Sequence, residues 1–286
     1  MNTTTRTGLR PILLFGITLT AIDLPLVAFA VSQGLDINQV GQAPIAAQIA
    51  IYGQAFMPAL AALVASALSG GVRTLDWGFR RVSWSVLLLA WAIPVAGVLF
   101  SYGASWLTGA ARFDPANLTE ATGLPPAAGV LLGLLPGVVP FMVLALGEQI
   151  GWSSLLTVRL ATTRSRDLTA VIVGIAWSLF HFPLMLFVPG AVPDGVPTPF
   201  ALAVFTASTI ALAFPMVWWR LRTRSIWPLL VFHSSLNAAT YFVAQAMTAS
   251  QGASPWLVGE SGVLTVGGLV ITVAATSRLW RKTEES

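Results

Sequence analysis

Long apolar stretches alternate with short polar breaks along this chain, and the breaks define its elements. Read between them, the pattern predicts eight spans, approximately 11–31, 47–69, 83–103, 127–158, 168–188, 200–219, 226–247 and 257–277. Runs of about 20 apolar residues cross a bilayer as helices, because a helix satisfies its own backbone groups in lipid. No period-two alternation argues for strands. The expected fold is therefore all-α, a polytopic integral membrane bundle of about eight transmembrane helices forming one membrane domain over 1–286, with the polar groups of interest on the helices of 127–247.

Three stretches qualify the pattern. The fourth span would be about 48 Å long at about 1.5 Å per residue, beyond a hydrocarbon core of about 30 Å, so it must tilt, kink at Pro136 or Pro140, or project from the membrane. The first span, with Arg6 and Arg10 ahead of it and AFA at 28–30, has the look of a signal peptide, but Asp23 and Pro25 interrupt it and favour a retained helix. The longest break, roughly 104–126 with Trp106, Asp114 and Glu120, predicts a short interfacial helix. Gly129, Gly133 and Gly137 have the spacing of close helix packing.

Charge placement tests the span count. Arg6, Arg10, Arg73, Arg80, Arg81, Arg159, Arg164, Arg166, Arg220, Arg222, Arg224, Arg278, Arg281 and Lys282 all fall on one side of an eight-span chain, and Arg112 alone falls on the other. One missed span would scramble this sorting. The positive-inside rule then places both termini in the cytoplasm. The net charge of +4 and a pI near 10.3 accordingly read as topology, not as nucleic-acid binding. With 9% charged residues and a mean hydropathy of +0.78, an ordinary soluble domain is excluded. The absence of cysteine removes disulfides, thiolate metal sites and a thiol nucleophile.

Ionisable groups inside a membrane cost a few kcal/mol each, roughly 2.5–3.5 on insertion scales, and so mark function. The candidates are Asp23, Glu148 with Gln149, His181, and His233 with Asn237. Counted from the nearest arginine at about 1.5 Å per residue, Glu148, His181, His233 and Asn237 lie about 16, 22, 13 and 19 Å deep, so they can meet at one level. His233 and Asn237 are one helical turn apart. A carboxylate that takes a proton from water, imidazoles that orient the water and an amide that stabilises an oxyanion make a hydrolytic set. Asp23 reads more simply as a partner for a neighbouring helix. Most of the eleven tryptophans read as interfacial anchors, with Trp152 and Trp177 close to the candidate site.

Three motifs occur in order: EQIGWSSLL at 148–156, WSLFHFP at 177–183 and SIWPLLVFHSSLN at 225–237. In these the sequence resembles the CPBP (CAAX protease and bacteriocin-processing, ABI) family of intramembrane proteases, which includes the CAAX prenyl endopeptidases. The resemblance covers about 145–245. It implies that Glu148 activates water, that His181 assists it, and that His233 and Asn237 stabilise the oxyanion or contact a metal. Gln149 stands where the family usually has a second glutamate, and Ser153 stands where it has an arginine. Their joint replacement by neutral residues avoids an unpaired buried charge. The resemblance further implies a membrane-associated or lipidated peptide substrate, a surrounding of membrane lipids, and a multi-pass protein of a bacterial plasma membrane. Zinc sites favour His, Cys or carboxylate ligands and Asn is a poor fourth. Hydrolysis without a metal is therefore preferred, with zinc held by Glu148, His181 and His233 as the alternative.

Competing readings remain open at this stage. One is a catalytically weak or inactive CPBP-type membrane scaffold or bacteriocin-immunity protein, suggested by Gln149 and Ser153. A serine protease using Ser153 or Ser154 with His233 lacks a GxSG-like setting. A transporter predicts inverted repeats, which the sequence lacks. The hydrolytic reading requires Glu148, His181, His233 and Asn237 to line one cavity, expected to open on the cytoplasmic side.

Overall fold

A computed structural model describes residues 9–249 and 254–282, so Arg6 lies outside the described residues. The elements in chain order are α1 (Arg10–Ser32), α2 (Ile45–Gln54), α3 (Met57–Ala67), α4 (Trp84–Leu107), β1 (Arg112–Phe113), α5 (Ala116–Thr122), α6 (Pro126–Leu134) and α7 (Val138–Gln149). A π-helical segment, Ile150–Thr157, leads into the single turn α8 (Val158–Leu160), and α9 (Arg166–Phe187) and α10 (Thr198–Thr223) follow. Next come α11 (Trp227–Asn237), a second π-helical segment (Ala238–Ala244), β2 (Thr248–Ala249), α12 (Ser254–Leu257), α13 (Val263–Ala275) and α14 (Ser277–Arg281). The fold is an all-α bundle in which the two short strands merely pair antiparallel at one end.

Among the described residues five helical stretches are long and apolar enough to cross a membrane: α1, α4, the run 126–160, α9 and α10. The span expected at 47–69 is a bent pair, α2 and α3 meeting at 57°. Pro58 sits in the first turn of α3 and has no N–H to give to the Gln54 carbonyl, so the helix cannot run unbroken from α2. The two remaining expected spans are α11 with its π-helical continuation, diluted by His233, Ser234, Ser235 and Asn237, and α13, which has only 13 residues. The long fourth span kinks at Pro136: α6 ends at Leu134, and α7 starts at Val138. In the longest break α5 supplies the expected short helix, but Trp106 belongs to α4, which runs four residues beyond its expected end at 103.

Hydrogen bonds sort the connections to two ends. At one end, the Arg220 guanidinium, 1% exposed, donates to the Asp76 carbonyl at 2.7 Å and pairs with its carboxylate at 3.2 Å. There too the Ile226 N–H reaches the Gly78 carbonyl, and the Ser225 hydroxyl reaches that of Arg80. Arg159 donates to the Thr74 carbonyl, while Asp167 accepts from Trp218 and pairs with Arg281. The arginine-bearing connections at 72–83, 159–166, 220–226 and 277–282 thus gather at this basic end. At the opposite end β1 pairs with β2, Asp114 N–H bonds the Met247 carbonyl, and Ile37 N–H bonds that of Pro189. Arg112 is there alone, beside Asp114.

Apolar burial cannot drive helices together in lipid, so packing depends on close approach. Gly147 and Gly151 face α3: a Cβ at Gly151 would sit 2.5 Å from Pro58 Cβ, and one at Gly147 would sit 2.8 Å from Phe56 Cα. Gly129 and Gly133 pack similarly, against Leu118 and against Phe242 with Val243. α11 lies against α7 and α4, and α9 against α10. These contacts bring the helices carrying Glu148, His181 and His233 side by side.

Candidate active site

Glu148 and Gln149 end α7, where the backbone passes into the π-helical segment, a form of helix often found at functional sites. Both are buried, as are Trp152, Ser153 and Ser154 in the segment that follows. Trp177 of α9 is the hub. Its indole N–H donates to Glu148 Oε2 at 2.7 Å, its carbonyl accepts from His181 Nδ1 at 2.9 Å, and its ring lies 4.9 Å from that of His233. The Trp152 indole N–H is a longer contact to the same carboxylate oxygen, at 3.5 Å.

These bonds fix the two imidazoles differently. A carbonyl only accepts, so His181 carries its proton on Nδ1 and presents Nε2 as an acceptor. The Ser153 hydroxyl lies 2.6 Å from Gln149 Oε1. That separation suits O–H···O and is short for N–H···O, whose range begins at about 2.7 Å. The Gln149 amide nitrogen therefore faces His233 Nδ1, at 3.3 Å, and donates to it. His233 then carries its own proton on Nε2. One histidine offers the site a lone pair and the other an N–H.

A cavity of about 80 Å³ collects these groups, lined by Glu148, Trp177, His181, His233 and Asn237. All four residues expected to act chemically reach it. α10 and α13 close it with Ser208, Thr209 and Leu212 on one side and Thr265 and Leu269 on the other. Tyr241 and Glu260 also line it. The sequence reading omitted both, although Glu260 lies within the expected 257–277 span and was detectable as another ionisable group there. Asp23 is buried against the side chain of Gln54, close enough to His181 to interact electrostatically. It does not line the cavity.

The cavity does not continue toward the basic end, where the opening was expected. A second cavity of about 510 Å³ shares His181, Phe205, Tyr241 and Glu260 with it and is lined by Asn38, Gly190, Pro193 and Ser254 from the connections of the opposite end. On the turns that follow Glu148 toward the basic end, Trp152 through Thr157 are buried and leave a void of about 10 Å³, lined by Gln149, Trp152, Ser153, Thr157 and Trp177.

Residues 129–239 match the family described as Type II CAAX prenyl endopeptidase Rce1-like. The chain carries an Rce1-like domain. No curated protein matches the chain. The Rce1-like stretch runs from α6 into the second π-helical segment and contains Glu148, Gln149, Ser153, Trp177, His181, His233 and Asn237. Asp23, Tyr241 and Glu260 fall outside it. Over residues 129–239 the chain is thus similar to CAAX-type proteases, and its apolar helices are those of an integral membrane protein.

Zinc fits this donor set poorly. His181 alone offers a free ring nitrogen, because His233 takes the Gln149 amide N–H on Nδ1 and keeps its proton on Nε2, while Glu148 Oε2 already accepts from the Trp177 indole. Among the described residues no three His, Asp or Glu side chains are arranged to hold a metal ion. A serine nucleophile is not assembled either, since Ser153 donates to Gln149 and Ser154 to the Trp77 carbonyl instead of to His233.

Proposed function

We propose that the protein is an intramembrane endopeptidase that hydrolyses a peptide bond of a membrane-associated or lipidated peptide, with water activated by Glu148. The observation that carries this reading is the convergence of Glu148, His181, His233 and Asn237 on one small cavity. Water placed there gives one proton to Glu148 while accepting orientation from His181, whose free Nε2 takes a hydrogen bond from the second proton. The water oxygen attacks the carbonyl carbon, and the oxygen that gains charge is met by the His233 Nε2–H and the Asn237 amide. As the carbon–nitrogen bond breaks, Glu148 returns its proton to the leaving amine. Trp177 holds the carboxylate throughout.

In this reading the protein is a multi-pass component of a bacterial plasma membrane with both termini in the cytoplasm. Glu148→Gln is the test. The amide oxygen still accepts from Trp177, so the fold is retained while the base is lost, and cleavage of a substrate peptide by the purified protein falls by about 10²–10⁴-fold. Cleavage within tenfold of the unaltered protein refutes the mechanism.

The closed, neutral Gln149–Ser153 pair favours a second reading, a CPBP-type scaffold or bacteriocin-immunity protein that retains the fold without the chemistry. That reading predicts undiminished partner binding when Glu148, His181 and His233 are all replaced.

A further inference from the structure

We infer that the larger cavity is the substrate vestibule, and that Glu260 at its inner end receives a basic residue of a peptide entering from the end opposite the arginine clusters. This rests on the protease reading and adds a substrate class to it. Size comes first: the chamber around Glu148 measures about 80 Å³ against about 510 Å³ for the adjoining space, so it suits the reacting link and its water and not the side chains on either side. The residues flanking the reacting bond must therefore lie elsewhere. The adjoining space, about 510 Å³, is large enough for several side chains and shares His181, Phe205, Tyr241 and Glu260 with the chamber.

Charge then selects the occupant. Among the described residues Glu260 is the single charged residue lining the vestibule, and no lysine or arginine lines either cavity. The Tyr241 hydroxyl faces its carboxylate and holds it at the boundary between the two spaces. Asp36 and Asp194 adjoin the lining residues Ile37 and Pro193, and Asp114 lies at the same end, bonded through its N–H to the Met247 carbonyl and 3.9 Å from Arg112. An acidic mouth leading to a carboxylate inside low-dielectric walls concentrates cations and repels anions. A lysine or arginine next to the scissile bond meets both conditions.

The test uses two fluorescent, mostly apolar nonapeptides that differ in one central residue, lysine or glutamate, with the full-length protein in non-ionic detergent. Glu148→Gln serves as the background, so that binding is read without cleavage. The lysine peptide is expected to bind at least tenfold more tightly. Glu260→Gln removes the difference, Glu260→Lys reverses it, and Glu260→Asp retains most of it. Equal binding of the two peptides, or a lysine preference that survives Glu260→Gln, overturns the inference. Failure of the protease reading appears separately, as cleavage that persists in Glu148→Gln alone.

Discussion

A single methyl group added to Gly151 tests whether the approach of α3 positions Glu148. The new Cβ would lie 2.5 Å from Pro58 Cβ and 2.8 Å from the Pro58 carbonyl oxygen. Ordinary carbon contacts begin near 3.5 Å, so the helices must separate by about 1 Å. Neither contact can swing away, because one belongs to a proline ring and the other to backbone. Overpacking of this kind costs about 1–3 kcal/mol. Glu148 lies three residues before Gly151 on the same continuous helix and moves with it, and a 1 Å misplacement costs about 10²-fold in rate. Gly103 in α4 provides the control: a Cβ there meets nothing within 4 Å, so Gly103→Ala is expected to be neutral or stabilising by about 0.5–1 kcal/mol, the helix-interior cost of glycine. Thermal unfolding in detergent, followed by tryptophan fluorescence, and the cleavage rate are measured on both variants. A Gly151→Ala protein that unfolds and turns over like the unaltered one refutes the argument.

Two further outcomes rest on contrasts within the structure. Trp177→Phe should slow turnover more than Trp152→Phe, because the first removes a donor 2.7 Å from the Glu148 carboxylate and the second one at 3.5 Å; equal rates in the two variants contradict the assigned hub. Arg220→Met removes a buried guanidinium that donates to the Asp76 carbonyl and pairs with the 43%-exposed Asp76 carboxylate, and should cost about 1–3 kcal/mol of stability, whereas Arg281→Ala at the half-exposed Asp167 should cost about 1 kcal/mol or less, both read by thermal unfolding.

The parts legible in the sequence are those that depend on depth and periodicity. Arginines at the breaks sorted the connections to one end, and the hydrogen bonds of Arg159, Arg220 and Arg281 gather them there. The turn-apart spacing of His233 and Asn237 placed both on one cavity wall, and Pro136 marked the kink. Other features depend on neighbours that no single helix encodes. α10 and α13 close the cavity with Ser208, Thr209 and Thr265, whose small hydroxyls carry no distinguishing pattern within an apolar run. Glu260 escaped because it lies in the turn before α13, where a carboxylate resembles an ordinary span boundary until Tyr241 and His181 are seen beside it. The direction of opening was equally hidden, since it depends on which side of Glu148 the larger void lies.

The neutral replacements at 149 and 153 gain a physical meaning from the same geometry. An amide at 149 has both an acceptor and a donor, so it can take the Ser153 proton on oxygen and give one to His233 Nδ1 from nitrogen. An ionised carboxylate at that position only accepts. It would draw the proton of His233 to Nδ1 and leave Nε2 a lone pair, or else hold the ring doubly protonated beside a buried negative charge. An arginine at 153 would balance that charge, so neutral residues at both positions leave no buried charge unpaired. With glutamine and serine, the site keeps an N–H on His233 Nε2 without burying either ion. The departures therefore supply the same oxyanion donor by a different route, and the proposed chemistry does not require the missing glutamate and arginine.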